Sequence, residues 1–289
     1  MPHATLPPLT RRAFSLSLAG AGVSLLRSAQ PEMHWALISD THIPASPAEA
    51  YRGFKPQDNL KRIVPDVLKA NPQGALVCGD VARLEGLTAD YEAARALLQP
   101  VSEKMPLALA LGNHDHRTNF LGVFGKSQNG SQSVNEKHVL VIESAGLRFV
   151  VLDSLITANS NPGLLGKTQR AWLATFLQQS SGIPTLIFVH HTLDDGDGSL
   201  LDAPRLFDIL KPHRKVKAIL YGHSHRYAYE TWEGVHLINL PAVGYNFNDD
   251  QPVGWVDAKL TATGGAFTLR AIGGNLEKDG KTVAVTWRA

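Results

Sequence analysis

The stretch Trp35-Ala36-Leu37-Ile38-Ser39-Asp40-Thr41-His42 joins a short apolar run to a carboxylate and an imidazole two residues apart. An extended strand end aims side chains two apart to the same side, so Asp40 and His42 are expected to point together. The arrangement recurs along the chain. Gly79-Asp80 follows Ala75 to Cys78, and Gly112-Asn113-His114-Asp115 follows Leu107 to Leu111. His190-His191 follows Thr185 to Val189, and Gly222-His223-Ser224-His225 follows Ala218 to Tyr221. Loops just beyond the carboxyl ends of strands are where α/β sheets gather ligands, so these five segments predict one converging site.

The runs between them read as helices. Asp58 to Ala70 places Leu60, Ile63, Val64 and Val67 on one face, with Asp58 or Asn59 as N-cap, and Pro65 weighs against it. Ala89 to Leu98 is a second helix, which completes a βαβαβ opening and predicts a largely parallel sheet. His138 to Glu143 and Leu147 to Val151 then read as strands around the hairpin signal Ser144-Ala145-Gly146, so the sheet becomes mixed. Leu164 to Gln179 carries an apolar stripe at helical spacing, which is core rather than a ligand site. Leu206, Phe207 and Leu210 mark a short helix, and Val235 to Leu240 a further strand. Trp255 to Leu260, Ala266 to Ile272 and Val283 to Trp287 predict antiparallel strands closing the domain. The fold class is α/β, with one domain over residues 30–289.

A chain of 289 residues with 44% hydrophobic composition can bury one substantial core. The formal charge of +2 leaves no basic track, which argues against a nucleic-acid backbone as substrate and for a small molecule. The N-terminus has its own reading. Thr10-Arg11-Arg12-Ala13-Phe14 precedes an uncharged stretch, Ser15 to Leu26, too short to span a bilayer. This resembles an export signal of the twin-arginine type, which carries folded and often metal-loaded proteins across the bacterial inner membrane. Residues 1–29 are therefore expected to direct export through the twin-arginine machinery and to be cleaved near Ala29, although Arg27 stands where a small residue is wanted, leaving a periplasmic or secreted protein with no stable membrane span. Three of the 28 basic residues and none of the 26 acids lie in that leader, so the mature part is close to neutral.

Carboxylates, an amide and imidazoles are ligands for divalent metals. The lone cysteine, Cys78, lies in an apolar run and reads as a small buried hydrophobe rather than a ligand. Asp80 follows its strand almost directly, where one carboxylate can bridge a metal pair.

The ordered set D-x-H, G-D, G-N-H-D, H and G-H-x-H resembles the signature of the calcineurin-like metallophosphoesterase superfamily, from about Trp35 to about Phe247. Gly163 to Gln169 with Trp172-Leu173, and Leu240-Pro241-Ala242-Val243-Gly244-Tyr245, add to the likeness. The resemblance implies a four-layer αββα sandwich of two mixed sheets flanked by helices. It implies one metal held by Asp40, His42, bridging Asp80 and His225, and a second held by Asp80, Asn113, His190 and His223. A mixed N/O set without thiolate suits Fe, Mn, Zn or Co rather than Ca or Mg. The ions would lower the pKa of a bridging water and stabilise in-line displacement at phosphorus. His114 matches the family's proton donor, with Asp115 orienting its ring. His191 and Arg117 are candidate substrate contacts; His191 equally suits a supporting position behind the ligands or a solvated one, and Arg117 a helix start.

His3, His34, His138, His213 and His236 have no partner spacing and read as structural or exposed, and Asp194 to Gly198 reads as a mobile loop near the site. The purple acid phosphatase branch has a tyrosine three residues after the bridging Asp and lacks the first-motif histidine. Here Arg83 and His42 stand at those positions, so the set is closer to the superfamily's bacterial phosphodiesterases, acting on cyclic nucleotides or glycerophosphodiesters. The expectation is a phosphodiesterase on small extracytoplasmic substrates. A phosphomonoesterase is the alternative, and a non-catalytic scaffold would require broken motifs that this chain does not have. The stretch Ile43 to Gln57, with Tyr51, Arg52 and Lys55, is expected to wall the pocket.

Overall fold

The computed structural model describes residues 31–125 and 130–289. The export leader expected over residues 1–29 lies outside the described residues. In chain order the elements are β1 (Met33–Ile38), α1 (Pro56–Ala70), β2 (Gly74–Val77), α2 (Thr88–Ser102), β3 (Leu107–Leu109) and α3 (Arg117–Phe124). Then come β4 (Ser131–Gln132), β5 (Val139–Ser144), β6 (Leu147–Val151), α4 (Gly166–Gln179), β7 (Thr185–Phe188) and α5 (Ala203–Leu210). The chain ends with β8 (Val216–Tyr221), β9 (Ala228–Trp232), β10 (Val235–Asn239), β11 (Pro252–Leu260), β12 (Gly264–Gly274) and β13 (Thr282–Thr286).

These strands form two mixed sheets, of order β13-β12-β11-β1-β2-β3 and β4-β5-β6-β7-β8-β10-β9. In the first, β1, β2 and β3 are parallel and β11 runs antiparallel to β1. In the second, β6, β7, β8 and β10 are parallel. The period-2 alternation of a strand sorts its residues between two cores. Met33, Trp35 and Leu37 face the other sheet and meet Phe149, Val151, Leu186 and Phe188, with the Trp35 and Phe149 rings edge to face at 5.1 Å. Ala36 and Ile38 face the opposite way, under Leu60, Ile63 and Val67 of α1 and Leu98 of α2. On the far side, Val150 and Ile187 pack under Leu173 and Leu177 of α4 and Leu206 of α5. The result is the αββα sandwich, with strands apolar on both faces because both faces are covered.

Several details depart from the sequence reading for identifiable reasons. The helix expected from Asp58 begins at Pro56, whose fixed φ suits a first helical position. Asn59 is then no cap: its Nδ2 donates to the carbonyls of Val243 and Gly244, both at 2.9 Å. Pro65 does not break α1, since it sits on the exposed face, where the carbonyl it deprives of a donor can reach water. The β5–β6 hairpin turns on Ala145 and Gly146, with φ of 48° and 75°, the left-handed pair that a tight two-residue turn requires. The helix α3 and the half-exposed edge strand β9 carry too little apolar periodicity to be read in advance.

The interface between the sheets dominates stability. Phe149→Ala leaves a cavity against Trp35 and Phe188 and is expected to lower unfolding stability by about 3–5 kcal/mol, read by urea denaturation. A change below about 1 kcal/mol would show that the sheets do not depend on this contact.

Candidate metal centre

All the predicted ligands lie just past the carboxyl ends of parallel strands, and the chain turns sharply there. Asp40, His42, Asp80, His223 and His225 have φ of 51°, 46°, 49°, 67° and 52°. Left-handed conformations at non-glycine residues each cost roughly 1–3 kcal/mol, and they persist only where the surroundings over-determine them. The surroundings here are backbone hydrogen bonds that continue the sheets beyond their last strand residues. Asp40 N donates to Gly79 O at 3.1 Å, His42 N to Asp80 O at 2.9 Å, Gly244 N to Asp40 O at 2.8 Å and Gly222 N to His190 O at 3.0 Å.

The side chains converge as two adjoining nests. Asp40, His42 and His225 form one, with His42 Nε2 3.0 Å from His225 Nε2 and His225 Nε2 3.4 Å from Asp40 Oδ1. Asp80, His190 and His223 form the other, joined by Asn113, whose Oδ1 is 2.9 Å from His223 Nδ1 and 3.3 Å from His190 Nε2. Asp80 Oδ2 stands between them, 3.6 Å from His42 Nε2 and 3.2 Å from His190 Nε2. Its other oxygen accepts from His114 N at 2.8 Å. One carboxylate therefore reaches both nests.

Outer partners set the ring orientations. His42 Nδ1–H donates to Arg83 O at 3.3 Å and His190 Nδ1–H to Cys78 O at 2.8 Å, which leaves each Nε2 lone pair aimed into the centre. Ser39 Oγ donates to Asp40 Oδ2 at 2.5 Å. Glycine is obligatory on two sides: a Cβ at Gly112 would lie 2.2 Å from Asp80 Oδ1, and one at Gly222 would lie 2.3 Å from Asp40 Oδ2.

The electrostatics ask for cations. Burial alone would raise the Asp40 carboxyl, but His190 and His225 hold it down to about 2. Burial lowers His42 to about 3 and His223 to about 4, so both rings are neutral and ready to donate lone pairs. His190 is the exception. Burial disfavours its charge, yet Asp80 and Asp40 push it up to about 10, so a proton there stands in for missing positive charge. Two buried carboxylates, an amide oxygen and neutral imidazoles with inward lone pairs fit divalent transition metals. Asp40, His42, Asp80 and His225 would hold one ion, and Asp80, Asn113, His190 and His223 the other. Cys78 is outside every donor cluster: burial pushes its thiol pKa up, and its Sγ lies near Val189 O and Leu220 O between the sheets.

Three expected roles need correction. Asp115 does not orient the His114 ring, which instead donates from Nδ1 to Leu84 O at 3.0 Å. The fully buried Asp115 carboxylate turns the other way and accepts from Gly112 N, Val81 N, Ala82 N and the Tyr91 hydroxyl. Burial and the Asp80 charge raise its pKa to about 6 against the pull of those N–H groups, and its work is to tie the Asn113 loop to the Asp80 loop. Arg117 opens α3, as its alternative reading had it, but its guanidinium is held bidentately by Asp153 at 2.8 and 3.0 Å and also donates to Leu155 O. His191 is fully buried behind the centre, with Nδ1 2.7 Å from Ser154 Oγ and its ring 4.9 Å from that of His223. It backs a ligand rather than facing substrate. Sequence reading also missed Tyr91 and Tyr245; the latter stacks on His42 and lies in the Leu240–Tyr245 segment, whose G-Y ending is its only signal.

Buried carboxylates, an amide and imidazoles at the strand ends of an αββα sandwich make an enzyme-like site for divalent metals, and its relatives make it that of a phosphoesterase. The chain belongs to the calcineurin-like phosphoesterase family, whose model matches residues 33–227. It is 28% identical over 232 residues to a protein of Vesicomyosocius okutanii named a probable cyclic nucleotide phosphodiesterase, covering 77% of this chain and 92% of that one. It is 26% identical over 231 residues to a glycerophosphodiester phosphodiesterase of Enterobacter lignolyticus, covering 75% and 81%. Its fold is similar to the crystal structure of a dimetal phosphatase from Danio rerio, with a TM-score of 0.70 at 17% identity over 89% of this chain and 99% of that one.

Two outcomes follow. Gly112→Ala drives a methyl into Asp80 and is expected to strip bound metal while leaving the far-UV circular dichroism unchanged; full metal content after gel filtration would refute the cradle. A metal needs the lone pair that His190 gives to a proton below about pH 10, so loading must release that proton. The sign is then fixed: apparent metal affinity falls about tenfold for each pH unit below that value. Calorimetry in buffers of different ionisation enthalpy should find about one proton released, and none would contradict the His190 assignment.

Proposed function

We propose that this phosphoesterase is a phosphodiesterase acting on small extracytoplasmic substrates, with His114 as the proton donor to the leaving oxygen. The placement of His114 carries the reading. Its Nδ1–H is held by Leu84 O and its backbone by Asp80, so Nε2 is the nitrogen left to act, and His114 forms with His42 and Asp80 a third group of donor atoms within 4.8 Å of one another. The ring is only part-buried, whereas His42, His190 and His225 are enclosed. An imidazole tethered at Nδ1 presents Nε2 as the nitrogen from which a proton can be delivered as an ester bond breaks.

The metals, from the set Fe, Mn, Zn and Co, would supply Lewis acidity toward phosphate oxygens and an activated water. The chain's own groups do the rest. Asp40 and Asp80 would hold the ions against each other's repulsion, Asn113 would supply a neutral oxygen that adds no charge, and Asp115 keeps the His114 loop at its distance from Asp80. With only two carboxylates to balance two divalent ions, the site would keep positive charge for a phosphate anion.

Preference for diesters is supported by the phosphodiesterase names of the curated relatives. Action outside the cytoplasm is supported by the sequence of Met1–Ala29, which resembles a twin-arginine-type leader. Among the described residues no helix is long and apolar enough to cross a membrane.

The test uses metal-loaded protein expressed from the full chain. Chelator-sensitive nitrophenol release should be faster from bis(p-nitrophenyl) phosphate than from p-nitrophenyl phosphate, and the reverse order would make the protein a phosphomonoesterase. His114→Ala should lower kcat by about 10²–10⁴-fold with metal content retained, and wild-type turnover in that variant would sink the proton-donor role.

A further inference from the structure

The stretch around Tyr51 and the segment after Gly244 meet at one rim of the centre. Tyr245 stacks on His42 with ring centroids 4.9 Å apart and planes at 29°, and Phe247 stacks on His225 at 4.2 Å and 20°. Tyr51 meets Tyr245 edge to face at 4.6 Å. Tyr245 is buried, whereas Tyr51 is 41% and Phe247 42% exposed. Arg52 Nη2 donates to Phe247 O and so ties the two segments together, while Tyr51 and Phe54 exchange backbone hydrogen bonds of 2.8 and 2.9 Å within the first.

Two features separate this wall from ordinary surface. Large aromatic rings are the side chains a fold buries first, and two of them stay open here, stacked on or beside rings of the metal nest. The guanidinium carbon of Arg83 also lies 5.0 Å from the centroid of Tyr51, while Arg83 Nε pairs with Glu49 at 2.8 Å. Glu49 neutralises the charge but leaves the planar cation as a stacking surface, so the wall suits a neutral flat group rather than a second phosphate. The wall also adjoins the same ligand as the proton donor: His114 and Tyr245 both contact His42, at 5.3 and 4.9 Å between centroids.

We propose that Tyr51 and Phe247, with Arg83 beside them, form a subsite for a planar aromatic group, a nucleobase or an aryl ring, on the leaving side of the phosphoester. The inference rests on the phosphodiesterase reading and deepens it: specificity is set by stacking. A stacked aromatic contact accounts for roughly 5- to 100-fold in binding. It acts on ground state and transition state alike, so its loss should appear in KM.

The experiment compares wild type, Tyr51→Ala, Phe247→Ala and Phe247→Tyr, each assayed for metal content. The substrates are 3′,5′-cyclic AMP, bis(p-nitrophenyl) phosphate and the aliphatic diester glycerophosphoethanolamine. The alanine variants should raise KM for an aromatic substrate roughly 5- to 100-fold with kcat little changed, leave the aliphatic diester unaffected, and be rescued by Phe247→Tyr. An effect on the cyclic nucleotide alone identifies a nucleobase as the ligand, and an effect on the nitrophenyl ester alone identifies an aryl group. Equal losses on the aliphatic diester would overturn the proposal, because the rings would then only support His42 and His225. No change on any substrate would overturn it as well.

A binding measurement separates this inference from the reading beneath it. Calorimetry on the metal-loaded protein should find AMP bound more tightly than ribose 5-phosphate, with the margin lost in Tyr51→Ala. If wild type hydrolyses none of the three diesters, the phosphodiesterase reading fails and that margin still decides the wall. An equal affinity for both ligands, together with equal effects on aryl and aliphatic esters, would refute it.

Discussion

Asp80 Oδ2 stands 3.6 Å from His42 Nε2 and 3.2 Å from His190 Nε2, and in that position it joins the two sheets as well as the two nests. Asp40, His42, Asp80 and Asn113 follow strands of the first sheet, and His190, His223 and His225 follow strands of the second. The centre is therefore an interface. Its geometry is set by how far apart and at what angle the sheets pack, which is decided by Trp35, Phe149, Phe188 and their neighbours in the core between them. A close-packed core holds that spacing tightly, which is what donor atoms needing a few tenths of an ångström of tolerance require.

The same construction explains the backbone strain. A strand that continued straight would send Asp40 and Asp80 past the site. Left-handed residues at the strand ends kink the chain without ending its parallel pairing, and the cross-loop hydrogen bonds from Asp40, His42 and Gly244 hold those kinks in place. The remaining tension is electrostatic: two carboxylates share a buried volume, and a proton on His190 is part of what relieves it. Bound cations would supply that positive charge in its place.

Much of this was legible in the sequence, and the limits have a physical pattern. Ligand chemistry dictates residue type, so Asp-x-His, Gly-Asp and Gly-His-x-His announce the centre, and strands covered on both faces announce themselves as continuous apolar runs. Direction is another matter. Asp115 follows His114 directly, yet the turn sends its carboxylate to the N–H groups of Val81 and Ala82, contacts that close over 33 and 34 residues of chain. Arg117 and His191 have the right chemistry beside the right motifs, but Asp153 and Ser154 claim them, and neither partner carries a signal linking it to the site. Asn59 reads as a helix cap until Pro56 starts the helix earlier, which frees its amide to hold the Val243–Gly244 turn behind Asp40.

That last contact links chemistry to specificity. The turn that Asn59 holds is the one whose Gly244 N donates to Asp40 O, and a residue later the chain presents Tyr245 to His42. A Cβ at Gly244 would come within 3.0 Å of Thr41 O, so the segment must run close against the first metal loop. The aromatic rim is thus built as an outward extension of the ligand shell, with Tyr245 rigid and buried and Tyr51 and Phe247 exposed beyond it. Rings anchored in this way lose little freedom when a flat group settles on them, whereas the same rings on a free loop would have to be ordered first. Placing reactive groups on strand ends and recognition groups one residue further out lets loop changes alter the ester accepted while Asp40, Asp80 and their histidines stay fixed.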